Sequence, residues 1–121
     1  MLKKQITYTD YEGEERTEEF YFNMTKAELL KMEMSAEGGL KHMLEKLIKE
    51  RDGKKLVEVF EDLILSAYGE KSTDGRRFIK SKELSDNFKQ TEAYSELFME
   101  LSTNADAAAD FVNAIAPQIK A

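Results

Sequence analysis

The stretch Leu56–Tyr68 constrains this chain more than any other, because its apolar residues leave room for only a narrow polar strip. Leu56, Val57, Val59, Phe60, Leu63, Ile64, Leu65, Ala67 and Tyr68 recur at helical spacing, and Glu58, Glu61 and Asp62 form a narrow polar strip. A helix with so little polar surface must be enclosed on most sides. It therefore reads as the centre about which the rest of the chain packs. Gly69 follows in the place of a left-handed helix-ending residue, where the missing Cβ avoids a clash. Residues 70–77 then read as a loop with an Asp74-Gly75 turn, which returns Phe78 and Ile79 to the core.

The first two dozen residues have a different rhythm. Residues 2–11 and 16–22 are rich in Thr, Tyr, Phe and Ile and flank Glu12-Gly13-Glu14-Glu15, which is the pattern of a β-hairpin. Pairing Tyr8 with Phe20 and Ile6 with Phe22 puts four large apolar side chains on one face. That register sets Glu12 opposite Arg16 across the loop Gly13–Glu15. Thr7, Thr9, Glu19 and Tyr21 then face solvent or a partner. Two strands alone are marginal, so the aromatic face needs helices or a second chain beneath it, and the free edges invite strand pairing.

Helix starts are the clearest local signals. Thr25 precedes an apolar run with Glu28 three residues on, a capping box, and Met24 and Leu29 are spaced as a hydrophobic staple. That helix reads to about Met34 and is interrupted near Gly38-Gly39. A second carries Leu40, Met43, Leu44, Leu47 and Ile48 on one stripe and ends at the turn Arg51-Asp52-Gly53. Ser81 caps a helix over 82–89, and Thr91 begins another bearing Tyr94, Leu97, Phe98 and Leu101. Thr103 with Asp106 reads as the box opening a last helix, whose apolar face is Ala108, Phe111, Val112 and Ile115 and which Pro117 ends.

The expected architecture is α+β and mostly α. A two-stranded antiparallel hairpin (1–23) precedes a helical region (24–116) of about five to six helices around the central helix 56–68. At 121 residues one domain, 1–121, is expected, able to bury about two-thirds of its unfolded surface. A formal charge of −6, from 24 acidic and 18 basic side chains, opposes a phosphate-backbone partner. The absence of cysteine fits a reducing compartment. The first residues lack a signal-peptide apolar run, and no stretch reaches the roughly 18 apolar residues of a membrane span.

Reactive chemistry finds no foothold. His42, the single histidine, has neither a nucleophile nor further ligands at useful spacing and reads as a surface or boundary residue without a role. Gly69-Glu70-Lys71-Ser72 lacks the glycines and the preceding strand that a phosphate loop requires. The acidic run Asp10, Glu12, Glu14, Glu15, Glu18 and Glu19 lies on a hairpin, not in a calcium loop, and reads as a solvated face that guards strand edges. Arg76 and Arg77 could grip a phosphate or carboxylate, although pairing with Asp74, Glu70 or other neighbouring carboxylates is the plainer reading. Met32, Met34 and Met43 suit core gaps, or a groove that accepts an amphipathic helix. No catalytic, cofactor-binding or metal-ligating residue is assigned.

Three segments carry a family likeness: ITYTDYEGEERTEEFYFNMTKAELLKME at 6–33, FEDLILSAYGEKSTDGRRFIKSKEL at 60–84 and FKQTEAYSELFMELSTNADAAADFVNAI at 88–115. With these the chain resembles the tail assembly chaperones of long-tailed phages and prophages. The most recognisable part is Tyr68-Gly69-Glu70-Lys71-Ser72 through Asp74-Gly75-Arg76-Arg77-Phe78. The resemblance implies a non-enzymatic helper, without cofactor, in the cytoplasm of the bacterial host. It would bind the helical tape-measure protein and keep it soluble during tail assembly. A longer frameshifted form would recruit the tail-tube protein, and this chain would be the short form. Homo-oligomers are admitted; nucleic acid and membrane are not expected partners. A structural tail or head-tail adaptor protein of the virion is the alternative. The partner-binding candidates are Met32, Met34, Leu40 and Met43 in the helical region, Thr7, Thr9 and Tyr21 on the outer hairpin face, and Arg76 and Arg77.

Overall fold

The structure is a computed structural model. It describes residues 1–35 and 53–115, with His42, Glu45 and Lys49 between them, each helical and exposed. The elements, in chain order, are β1 (Leu2–Thr9), β2 (Glu15–Phe22), α1 (Lys26–Ser35), α2 (Gly53–Ala67), β3 (Tyr68–Lys71), β4 (Phe78–Ile79), α3 (Lys82–Lys89), α4 (Glu92–Thr103) and α5 (Ala105–Ile115). The expectations for Gly38, Gly39, Leu40, Met43, Leu44, Leu47, Ile48, Arg51, Asp52 and Pro117 lie outside the described residues. The α+β, mostly helical class is as expected.

The hairpin grows into a sheet of four antiparallel strands in the order β1-β2-β3-β4. This corrects the two-stranded expectation. Helix α2 stops at Ala67, and the chain turns directly into β3, which sets Tyr68 opposite Phe22 and Gly69 opposite Tyr21. The Ala67 carbonyl, left without an intrahelical donor, accepts from the Asn23 N–H at 2.8 Å. Gly69 is thus a strand residue and not a helix cap. Its glycine is required by closeness: a Cβ there would meet the Ile79 carbonyl oxygen and the Phe78 ring, each at 2.6 Å. Phe78 and Ile79 accordingly rest half-buried along β3, with the Phe78 ring over Gly69.

The hairpin register also differs. Phe22 faces Leu2, Phe20 faces Lys4 and Tyr8 faces Arg16, four residues from the expected pairing. The shift is even, so Ile6, Tyr8, Phe20 and Phe22 still share one face. The cause is the turn. One carboxylate oxygen of Asp10 accepts from the N–H groups of Glu12 and Glu14, and Gly13 takes φ 86° while donating to the Asp10 carbonyl at 3.0 Å. Asp first and Gly fourth is a favoured turn composition. It places the tip at residues 10–14 instead of 13–15.

Beneath the sheet lies a core of Phe22, Met24, Leu29, Phe60, Leu63, Ile64, Ala67, Phe88, Leu97, Leu101, Phe111 and Ile115. Phe88 gathers the aromatics: its ring stacks on Tyr68 at 4.2 Å with planes 8° apart and meets Phe20, Phe22 and Tyr94 at 5.2–5.8 Å. Such pairs add about 0.5–1.5 kcal/mol beyond area burial. Helix α2 is less enclosed than its composition implies, since Val57 remains 46% exposed. The caps of α3 and α4 are Ser81 and Thr91 as expected. The last helix is capped by Asn104, whose Oδ1 accepts from the Ala107 N–H at 3.1 Å. Thr103 belongs to α4 and bonds back to the Met99 carbonyl. The apolar face Ala108, Phe111, Val112 and Ile115 is buried as the spacing requires.

Candidate functional site

Helix α1 is held from below and open above. Its start is a complete capping box: Thr25 Oγ1 accepts from the Glu28 N–H at 3.2 Å, and Glu28 Oε1 accepts from the Thr25 N–H at 2.9 Å. Met24 and Leu29 are both buried, as a staple requires, and Met24 donates its N–H to the Ile115 carbonyl of α5 at 3.2 Å. Glu28 also bonds Lys80 at 2.7 Å, which ties α1 to the segment after β4. Partial burial raises the Glu28 pKa, but the Lys80 and Thr25 bonds and the Lys80 charge outweigh it, and the net shift is downward. On this anchored helix Leu30 and Met34, one turn apart, stand 61% and 80% exposed. Met32 is half-buried against the core.

The other candidates are dispersed. Thr7 and Thr9 are exposed on β1, with Thr7 Oγ1 2.9 Å from Thr17 Oγ1 across the hairpin. Tyr21 is half-buried beside Gly69. Arg76 and Arg77 lie in a tight β3–β4 turn built by Asp74 and Ser72. Asp74 accepts from Ser72 Oγ at 2.7 Å and the Arg76 N–H at 3.0 Å, and Ser72 Oγ accepts from the Arg77 N–H at 3.0 Å. The expected pairing of these arginines with Asp74 or Glu70 is not made: both guanidinium groups are exposed without an ion pair among the described residues. The turn uses their backbone.

Leu30 was missed by the sequence reading, which followed the Met24–Leu29 stripe. The signal was available, since Leu30 and Met34 form their own four-residue pair beside that stripe.

Electrostatics at these positions favours charged, paired groups. Asp10 is held below the usual carboxylate range by the Arg16 guanidinium and the turn N–H groups, and Asp74 by the N–H of Arg76 and the Ser72 hydroxyl. Burial, with Glu61 and Asp62 near, pushes the Tyr94 hydroxyl up to about 12. Among the described residues no three His, Cys, Asp or Glu side chains are grouped to hold a metal ion, and no helix is long and apolar enough to cross a membrane.

The described residues present outward an apolar pair on α1 and a polar face along the hairpin, carried on a small α+β scaffold. The chain belongs to the phage tail assembly chaperone family, whose model matches residues 1–119. No curated protein and no solved structure matches it.

Proposed function

We propose that this protein binds amphipathic helices of the tape-measure protein on the open face of α1 and keeps that client soluble while the tail assembles. The observation that carries the reading is the Leu30–Met34 pair: two large apolar side chains one turn apart, mostly exposed, on a helix fixed at its start by a capping box and a staple. A fixed apolar ridge suits a helical client, whose own apolar stripe repeats at the same spacing. Methionine adapts to varied partners at little cost in shape. Met32, Leu40 and Met43 are the further candidates in the neighbouring sequence, and the net charge of −6 favours solubility of the loaded chaperone.

Co-expression with the tape-measure protein tests the reading. The native chain should raise the client's soluble fraction and co-purify with it. Leu30→Glu combined with Met34→Glu should abolish both effects while leaving the melting temperature within about 2 °C, since exposed changes typically shift stability by less than about 0.5 kcal/mol. Undiminished client binding by the double variant would remove α1 from the interface.

A further inference from the structure

The outer edge of β1 lies apart from α1, at the open end of the strand order, and does not depend on the client proposed for that helix. The Asp10 N–H donates to the Glu14 carbonyl at 2.8 Å, which marks residues 10 and 14 as a hydrogen-bonded pair of the hairpin. In an antiparallel ladder such pairs alternate. With the register Thr9↔Glu15 through Leu2↔Phe22, even-numbered β1 residues direct their N–H and C=O groups to β2. Those of Lys3, Gln5, Thr7 and Thr9 therefore point outward, with no backbone partner among the described residues. The same alternation accounts for the Asn23–Ala67 and Ser72–Arg77 bonds on the far side of the sheet.

This edge is poorly guarded. Three successive outward positions, Gln5, Thr7 and Thr9, carry no charge, whereas the stretch of β2 that extends past β3 presents Glu15, Thr17 and Glu19. Beside the edge runs α4, and between them lies a cleft of about 290 Å³ lined by Gln5, Ile6, Thr7, Glu96, Met99 and Glu100, with Thr103 at its end. Met99 is 54% exposed there. Glu96 has no ion pair among the described residues, and Glu100 bonds Lys4 at 3.0 Å. A strand edge walled by a helix offers main-chain bonds on one side and side-chain contacts on the other, the geometry of strand addition.

We propose that the β1–α4 cleft takes an extended segment of a partner chain, paired antiparallel to β1, whose inward side chains alternate apolar on Met99 with basic at Glu96. A second copy of this chain fits less well. Its own α4 would flank its β1 and bring both Glu96 carboxylates to the same seam, like charge on like charge, while Glu100 stays paired with Lys4 in each copy.

The probe is a blocked seven-residue peptide alternating threonine with leucine or lysine, titrated into the ¹⁵N-labelled full chain. The N–H signals of Gln5, Thr7 and Thr9 should shift and exchange more slowly, and the Met99 methyl group should contact the peptide leucine. Gln5→Pro removes one outward donor and no β1–β2 bond, and should weaken binding about fivefold, the worth of one backbone hydrogen bond. Met99→Lys, on an exposed helix position, should weaken it at least as much and covers the case in which the proline variant misfolds. Replacing the peptide lysines with glutamate should abolish binding. Shifts confined to α1, equal binding of the glutamate peptide, or affinity unchanged by Met99→Lys would each overturn the proposal. So would concentration-dependent protection of the same amides without peptide, which would assign the edge to a second copy.

Discussion

Gly69 and Phe78 are in contact through the hydrogen that stands where any other residue would carry a side chain: a Cβ at 69 would lie 2.6 Å from Phe78 Cε2 and 2.6 Å from the Ile79 carbonyl oxygen. One obstacle is backbone, so the side chain alone cannot yield. Gly69→Ala must push β4 from β3 as well as displace the ring, an overpacking change of about 1–3 kcal/mol. Urea unfolding should show a lower midpoint with an unchanged slope, and a larger loss for Gly69→Val. An unchanged midpoint for alanine would mean that β4 is free to move.

Glu28 couples the α1 cap to Lys80, and its lowered pKa fixes the pH response. The folded chain holds this carboxylate more readily ionised than the unfolded chain does, so the folded state binds fewer protons. The stabilisation is complete above the ordinary value of 4.5 and fades as pH falls through the lower folded value. The stability gap between the native chain and Glu28→Gln should be full at neutral pH and narrow as pH falls below 4.5. Thr25→Ala, which removes the other half of the box, should cost about 1 kcal/mol at neutral pH, and part of that cost should fade on acidification, because the Thr25 side chain is among the groups that lower the Glu28 pKa. A pH-independent gap for Glu28→Gln would show that the charge is immaterial.

The β3–β4 turn separates two neighbours that the sequence makes look alike. Arg76 and Arg77 contribute backbone N–H groups, whereas Asp74 contributes the carboxylate that receives one of them together with the Ser72 hydroxyl. Asp74→Ala should lower the melting temperature, and Arg76→Ala with Arg77→Ala should leave it unchanged. Circular dichroism melts of the three proteins suffice. A clear loss in the arginine double variant would require partners for its guanidinium groups.

The difference between what was legible and what was not follows range. Caps are local chemistry within four residues, so Thr25, Ser81 and Thr91 were read correctly. The one error at a helix start, Thr103 for Asn104, arose between adjacent residues that can both cap. Strands β3 and β4 are four and two residues long, too short for any alternation to declare itself, and Tyr68 and Gly69 look like the end of the apolar helix they follow. Only Phe22, forty-six positions before Tyr68, makes them a strand. The hairpin faces were legible because parity survives an even shift, while the register depended on a side chain, Asp10, that was counted among the acidic residues instead of in the turn. The apolar face of α1 was half legible: Met34 was named for its residue type, but exposure, which distinguishes it from half-buried Met32, is a property of packing.

Phe88 is where the sheet and the helices meet, and its removal should be the costliest single change in the aromatic cluster. It is 2% exposed and touches rings from β2, β3 and α4 at once, with Tyr68 stacked parallel at 4.2 Å. Phe88→Ala should destabilise by about 3–5 kcal/mol through lost contacts and the cavity left behind. Phe88→Leu, which refills most of the volume without the stacking, should cost less, and the interval between the two separates volume from ring geometry. Tyr68 reports the same event optically: its near-ultraviolet dichroism should collapse in both variants, because each removes the parallel ring. If the leucine variant kept the signal, the stacking would be an incidental consequence of packing and not a constraint on Tyr68.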